Sequence, residues 1–131
     1  MEFFEYKGHV YSVFAKDYKV VIYKGYQQVG VLEYATQTGG SRQIKPLQLL
    51  FERELQTLVL LAQTGEGTIR TYTIDVINQV MIERQVLPLP SGVQSTKRTA
   101  RYFALELENS VNFLRAGDIT KSVVLPNSKN I

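Results

Sequence analysis

Residues 18–30 constrain the fold most, because they place a strand, a turn and a returning strand in immediate succession. The first part contains the β-branched run Val20-Val21-Ile22, a composition that favours a strand. Gly25 follows where a hairpin turn is expected, since glycine adopts a positive φ without steric cost. Residues 27–34 are predicted to form the second strand. The segment therefore predicts a β-hairpin with Val20 and Ile22 on its core face.

Alternation of apolar and polar residues predicts further strands on both sides of this hairpin. Residues 68–74 and 101–108 alternate regularly, as expected for strands with one face on the core. Residues 3–15 and 119–125 are predicted to form the first and last strands. Residues 75–86 are compatible with a helix capped by Asp75 and also with a strand, and the sequence leaves this choice open.

Residues 46–62 have the apolar spacing of a helix. Large apolar residues and one alanine fall at positions 47, 50, 51, 55, 58, 61 and 62, whereas Glu52 falls on the opposite side. Pro46 suits the first turn of a helix. Two strands, residues 47–51 and 58–62, are the alternative, but they need a turn without Gly, Pro, Asn or Asp between them. The spacing therefore favours one amphipathic helix over residues 46–62.

These patterns together predict an α+β fold. It is a small single domain with a mostly antiparallel sheet and one longer helix, about residues 46–62, packed on one face. Residues 1–125 are predicted to form this domain and residues 126–131 a flexible C-terminal tail. The rhythm of strands also fits isolated β-propeller blades, but three blades would not close into a ring. The free face of the sheet, or its edges, is expected to mediate a homodimer.

Composition excludes several classes of protein. The chain has 131 residues, 44% of them hydrophobic, which is enough to bury a core. It has no cysteine, so disulfides and thiolate metal sites are excluded. The longest apolar run, residues 58–62, is too short to span a membrane, and residues 1–5 lack the basic-then-apolar order of a signal peptide. A cytoplasmic or virion-associated location is expected, neither secreted nor membrane-bound.

The sequence contains no motif that points to catalysis or a cofactor. His9 is the only histidine, and neither metal-ligand partners nor a nucleophile elbow lie near it. Glu52 with Glu54, and Glu106 with Glu108, are carboxylate pairs two residues apart, a spacing that solvated strand faces also show. No acid, base and positioned partner occur together, so we predict a non-catalytic protein without a metal or cofactor.

Basic residues next to tyrosines are the feature that points to a ligand. Residues 1–46 carry six Lys/Arg against four Asp/Glu, and residues 91–131 carry six against three, whereas residues 47–90 carry three against five. Single-stranded nucleic acid is bound by cations that contact phosphates and by aromatic rings that stack on bases. The predicted nucleic-acid-binding residues are Lys19, Tyr23, Lys24, Tyr26, Lys97, Arg98, Arg101 and Tyr102.

The predicted function is therefore binding of single-stranded nucleic acid with little sequence preference. A mobile basic loop, residues 91–100, is expected to close over a strand that lies on the sheet. The alternative is a structural or protein–protein interaction subunit, for example a virion-associated or adaptor protein, with no nucleic-acid role. The same tyrosines fit this alternative, because tyrosine is a good strand former and is common at protein interfaces.

Overall fold

The computed structural model describes residues 1–16, 19–33, 45–52, 57–64, 67–88 and 92–126. These residues form twelve β-strands and contain no helix. Accordingly, no helix long and apolar enough to cross a membrane occurs among them. The strands form three four-stranded antiparallel sheets, and neighbours in the chain are neighbours in each sheet.

The three sheets are consecutive meanders with the same strand order. The first sheet contains β1 (Glu2–Tyr6), β2 (His9–Lys16), β3 (Lys19–Lys24) and β4 (Gln27–Glu33). The middle sheet contains β5 (Lys45–Glu52), β6 (Thr57–Gln63), β7 (Thr68–Asp75) and β8 (Val80–Pro88). The last sheet contains β9 (Ser95–Arg98), β10 (Tyr102–Glu106), β11 (Ser110–Arg115) and β12 (Asp118–Pro126). Residues 127–131, the rest of the predicted tail, lie outside the described residues.

The predicted hairpin of residues 18–30 is confirmed as β3 and β4. Gly25 lies in the turn with a φ of 59°, a conformation that favours glycine. Val20 and Ile22, predicted to face the core, are fully buried. Tyr18 itself lies outside the described residues.

The hydrophobic core is divided between the two faces of the middle sheet. Leu60 of β6 faces the first sheet and belongs to the same cluster as Ile22. The next residue, Leu61, faces the last sheet and belongs to a second cluster with Phe103. Residues 58–62 are all buried. The middle sheet is therefore covered on both sides, whereas the first and last sheets are each covered on one side by it.

The predicted α+β fold is wrong, and so is the helix over residues 46–62. The described part of that segment forms β5 and β6, in which Leu49 pairs with Leu60 and Leu50 with Val59. Residues 53–56 lie outside the described residues. A strand covered on both faces has apolar residues at consecutive positions, and a run of this kind also satisfies helical spacing. The alternative of two strands, residues 47–51 and 58–62, is the correct one.

Two other segments are strands, although the sequence also allowed a helix for one and predicted a loop for the other. Asp75 ends β7 and accepts a 3.0 Å hydrogen bond from the backbone N–H of Asn78, which forms the turn before β8. Residues 80–86 are therefore strand. Ser95 to Arg98 form β9, which pairs with β10, so the predicted loop of residues 91–100 is wrong over this part.

The three sheets converge along their first strands. Arg98 in β9 forms an ion pair with Glu2 in β1, and β5 contacts both strands. Beside them, Thr96 of β9 donates its hydroxyl to the Leu47 carbonyl oxygen of β5 at 2.9 Å. Stacked sheets lie about 10 Å apart, so a flat stack would separate the first and last sheets by about 20 Å, more than Glu and Arg side chains can span. The sheets therefore radiate from an axis near β1, β5 and β9.

The sheets also point the same way along this axis. Gln79, in the turn between β7 and β8, donates its side-chain amide to the Val29 carbonyl oxygen at 2.9 Å, close to the turn between β3 and β4. Thr96 and Leu47 both lie near the starts of their strands. Equivalent ends of neighbouring sheets therefore meet.

Candidate functional site

The first sheet has an apolar face on the side away from the middle sheet. The strand registers place alternate residues of β1 to β4 there. We call this surface the first outer face; its apolar and aromatic members are Phe3, Val10, Phe14, Val21, Tyr23 and Val31. Val31 is 44% exposed, and the rings of Phe14 and Tyr23 meet edge to face with centroids 5.8 Å apart. Two aromatic rings in contact thus lie on a surface that is partly open to solvent.

The last sheet is also apolar on its outermost side. Alternate residues of β10 to β12 lie there, opposite to the buried Phe103 and Leu105. We call this surface the last outer face; its apolar and aromatic members are Tyr102, Ala104, Val111, Phe113, Val123 and Leu125. Val123 is 54% exposed, and it pairs across the strands with the half-buried Phe113. Both ends of the three-sheet array therefore present apolar faces.

Half of the residues predicted to bind nucleic acid lie in the first sheet. Lys19 and Tyr23 are on the first outer face, within β3. Lys24 and Tyr26 lie at the turn between β3 and β4, where Tyr26 is fully exposed. The structure thus keeps these four residues on one sheet but divides them between a face and a turn.

The other half lies in the last sheet, on the far side of the middle sheet. Lys97 and Tyr102 are on the last outer face. Arg98 points the other way and pairs with Glu2, which is only 7% exposed. Arg101 lies in the turn between β9 and β10, and its carbonyl oxygen accepts a hydrogen bond from a neighbouring turn. The eight predicted residues therefore do not form one continuous surface.

One end of the first sheet brings together residues that the sequence analysis did not group. The turn between β1 and β2 lies beside the turn between β3 and β4, because Gly25 donates its N–H to the Val10 carbonyl oxygen at 2.8 Å. We call this end the basic turn cluster; its members are Tyr6, Lys7, His9, Lys24 and Tyr26. The ammonium nitrogen of Lys7 lies 5.4 Å from the centroid of the Tyr6 ring, within cation–π range.

A repeated tripeptide is the sequence signal for this cluster. Tyr-Lys-Gly occurs at residues 6–8 and again at residues 23–25. Gly8 and Gly25 have φ values of 79° and 59°, so both copies end in a hairpin turn that favours glycine. Lys7 lies in the first turn and Lys24 ends β3 just before the second, so the two lysines lie at the same end of one meander.

A cleft of about 1070 Å3 lies between β1 and the turn end of the middle sheet. Phe4 and Phe51 stack in its wall with ring centroids 5.2 Å apart, and Asp75 and Arg84 are among its polar residues. Hydrogen bonds from Asn78 lower the pKa of Asp75, so this carboxylate stays ionised and caps a turn. An ionised carboxylate of this kind is a poor proton donor at neutral pH.

The structure describes three of the four glutamates that form carboxylate pairs in the sequence. Glu52 is buried at the end of β5, and Glu54 lies outside the described residues. Glu106 accepts a 3.3 Å hydrogen bond from the Ser95 hydroxyl, whereas Glu108 lies in the turn after β10. In the described part of the chain, no group of three His, Asp or Glu residues is placed to hold a metal ion.

Comparison with known proteins found no matching family model, no matching curated protein and no matching solved structure. The basis for a functional proposal is therefore the arrangement of the three sheets, the two outer faces and the basic turn cluster.

Proposed function

We propose that this protein is a non-catalytic structural or interaction subunit that binds protein through its two outer faces. The observation that carries the proposal is that both outer faces carry exposed large apolar side chains. Contiguous apolar surface on a soluble protein marks an interaction site, because covering it removes apolar area from water. Tyr23 and Tyr102 lie on these faces, and tyrosine is enriched at protein interfaces.

The layered architecture supports the same role. In arrays of stacked structural units, the terminal units normally carry a polar outer side that faces water. Here Phe3 and Val31 lie on one terminal side and Val123 on the other. Such ends fit continued stacking against protein, and a cytoplasmic or virion-associated location is part of this proposal.

Binding of single-stranded nucleic acid is the second candidate, and the basic turn cluster is the observation that favours it. The cluster combines the cations Lys7 and Lys24 with the rings of Tyr6 and Tyr26 at one exposed end of a sheet. Cations beside flat aromatic rings suit phosphates and bases. The site is much smaller than the surface predicted from the sequence, which supports weak binding only.

Sedimentation with and without a labelled single-stranded oligonucleotide, at two salt concentrations, separates the two candidates. The structural role predicts a defined protein assembly whose mass does not change when the oligonucleotide is added. A monomer that binds the oligonucleotide, with log K falling by roughly 0.7 per neutralised phosphate as log salt rises, would contradict it. Lys24→Ala and Tyr26→Ala should then weaken binding, and Lys45→Ala, on β5 of the middle sheet, is the control.

A further inference from the structure

We infer that a second copy of this chain closes the open three-sheet array, with the last outer face of each copy packed on the first outer face of the other. This inference rests on the proposed interaction role and names the partner in it. The assembly is a pair of chains with six sheets around one axis.

The convergence of the three sheets on one axis is the first argument that a second copy completes a closed ring. The ion pair of Glu2 with Arg98 joins the first strands of sheets that are not adjacent, so successive sheets turn about a common axis. Rings of radiating four-stranded sheets typically contain four to eight sheets. Three sheets leave such a ring open, with one outer face at each end. A second copy brings the number to six, which lies within that range.

The two faces that would meet have matching rows of side chains. One row of the first outer face is Phe14, Val21 and Val31, which are paired across β2, β3 and β4. One row of the last outer face is Ala104, Phe113 and Val123, which are paired across β10, β11 and β12. Each row combines one aromatic ring with two small aliphatic side chains. Apolar sheet faces also pack against each other at both internal contacts of the molecule.

Charges on the first outer face differ between its two ends. At the end where β2 finishes and β3 begins, Lys16 pairs with Lys19, which pairs in turn with Glu33. This end therefore carries two positive charges and one negative charge. Glu5 lies on the same face at the opposite end, near the finish of β1.

Charges on the last outer face have the opposite order. Glu106 lies where β10 finishes, at the end equivalent to Lys16 and Lys19, and Arg115 lies where β11 finishes, at the end equivalent to Glu5. Neighbouring sheets within one chain point the same way along the axis. If the second copy keeps this orientation, Glu106 faces the lysine end and Arg115 faces Glu5. Complementary charges of this kind fix the register of an interface.

A two-fold axis along the centre of the ring relates the two copies. Each of the two contacts then joins the first outer face of one copy to the last outer face of the other. Every copy therefore contributes one face to each contact. A substitution on either face is therefore present in both contacts of a variant pair. A mixture of two variants, one altered on each face, contains pairs in which one of the two contacts has no substitution.

This symmetry defines the experiment, which measures mass by sedimentation equilibrium over a range of concentrations. Val31→Asp alters the first outer face and Val123→Asp alters the last outer face. Val86→Asp is the matched control, because Val86 is 45% exposed but lies on the edge strand of the middle sheet. An unpaired carboxylate buried in an apolar contact should raise the dissociation constant of the pair by about 100-fold or more.

The wild-type chain and Val86→Asp are expected at about twice 14.9 kDa, whereas Val31→Asp and Val123→Asp are each expected as monomers. An equimolar mixture of the two monomeric variants is expected to form pairs again, more weakly than wild type. A pair that survives Val123→Asp would overturn the inference while leaving the interaction role intact. A mass that keeps rising above two chains as the concentration increases would overturn closure of the ring. A wild-type chain that stays monomeric at all concentrations would overturn self-association. The interaction role fails separately if the wild-type monomer binds single-stranded nucleic acid and Lys24→Ala or Tyr26→Ala weakens that binding.

Discussion

The middle sheet and the first sheet have the same number of strands and the same connections, yet they differ in what covers them. In β6 of the middle sheet, residues 58–62 are buried without a break, because neighbouring sheets cover both sides. In β3 of the first sheet, Val20 and Ile22 are buried, whereas Lys19 and Tyr23 lie on the open side. The apolar pattern in this chain thus reports how many sides of a strand are covered.

The open sides of the first and last sheets nevertheless carry large apolar side chains beside their charged ones. Phe14 and Val31 on the first sheet, and Val123 on the last, are at least 39% exposed. A strand with one side in water normally carries polar residues there. These two sides therefore carry large apolar residues, as the covered faces of the middle sheet do, while they differ from those faces in exposure. The following experiments test that difference.

The largest effect is expected from truncating leucines of the middle sheet. Leu60→Ala and Leu61→Ala remove fully buried side chains that point to opposite sides of β6, so each should lower the free energy of unfolding by about 2–5 kcal/mol. Leu125→Ala, on the last outer face, makes the same change at an exposed position and should cost less than about 1 kcal/mol in the unpaired chain.

Urea unfolding at a protein concentration too low for pairing measures all three variants. If Leu61→Ala costs no more than Leu125→Ala, the last sheet does not cover the middle sheet. If only Leu60→Ala costs no more than Leu125→Ala, the first sheet does not cover the middle sheet.

A smaller loss is expected when the ion pair between the first and last sheets is removed. Arg98→Ala leaves the buried Glu2 carboxylate without its cation and should cost about 1–3 kcal/mol, at the low end because the Arg98 side chain is partly exposed. Lys97→Ala, one residue away on the outer side of β9, should change stability by less than about 0.5 kcal/mol.

A double-mutant cycle with Glu2→Gln measures the coupling between Glu2 and Arg98. Substituting Arg98 in the Glu2→Gln background should cost less than in wild type. Equal costs in the two backgrounds would show that the first strands do not depend on this pair for their convergence.

The contact between the first and middle sheets should respond to one methyl group. A Cβ atom added at Gly30 would lie 2.6 Å from the side-chain amide of Gln79, which donates to the Val29 carbonyl oxygen. Gly30→Ala should therefore displace Gln79 and cost about 0.5–1.5 kcal/mol, the contribution of one hydrogen bond. Thermal unfolding is the measurement, and Gly92→Ala, where no atom lies within 4 Å, is the matched control. If the loss is the same in a Gln79→Ala background, displacement of Gln79 is not its cause.

The smallest effect at neutral pH concerns a titratable residue in the covered core. Burial raises the pKa of Tyr72 above its ordinary value of 10.0. The unfolded chain then loses this proton at a lower pH than the folded chain, so stability falls as pH rises from 10 through the folded pKa. Tyr72→Phe should make the decline in stability above pH 10 less steep. Unfolding curves from pH 8 to 11 measure this, and identical slopes for wild type and variant would contradict the burial of the Tyr72 hydroxyl.

Local signals in the sequence, such as a turn glycine or a regular alternation, are sufficient to predict the hairpin and two further strands. Gly25 after a β-branched run predicted the β3–β4 hairpin, and regular alternation predicted β7 and β10. The helical spacing of residues 46–62 is misleading, because the burial of this segment depends on sheets formed by distant parts of the chain. Periodicity within one window cannot distinguish a helix from strands that two other sheets cover.

The candidate site was predictable only in part, for a related reason. The tyrosines and lysines of the hairpin were identified, but their division between a face and a turn follows from the strand register. The sequence predicts Lys97 and Tyr102 on the same surface as Lys19, because it does not show that the middle sheet separates them. The two Tyr-Lys-Gly tripeptides were visible in the sequence, and comparing them would have grouped Lys7 with Lys24.

The most direct test of the central claim, that the outer faces cover each other in a pair of chains, is thiol labelling. The chain has no cysteine, so Val31→Cys, Val123→Cys and Val86→Cys each introduce a single thiol. At concentrations where chains pair, the first two should react with a maleimide at least about tenfold more slowly than the third, and dilution should remove the difference. Equal rates for all three thiols at every concentration would contradict the claim.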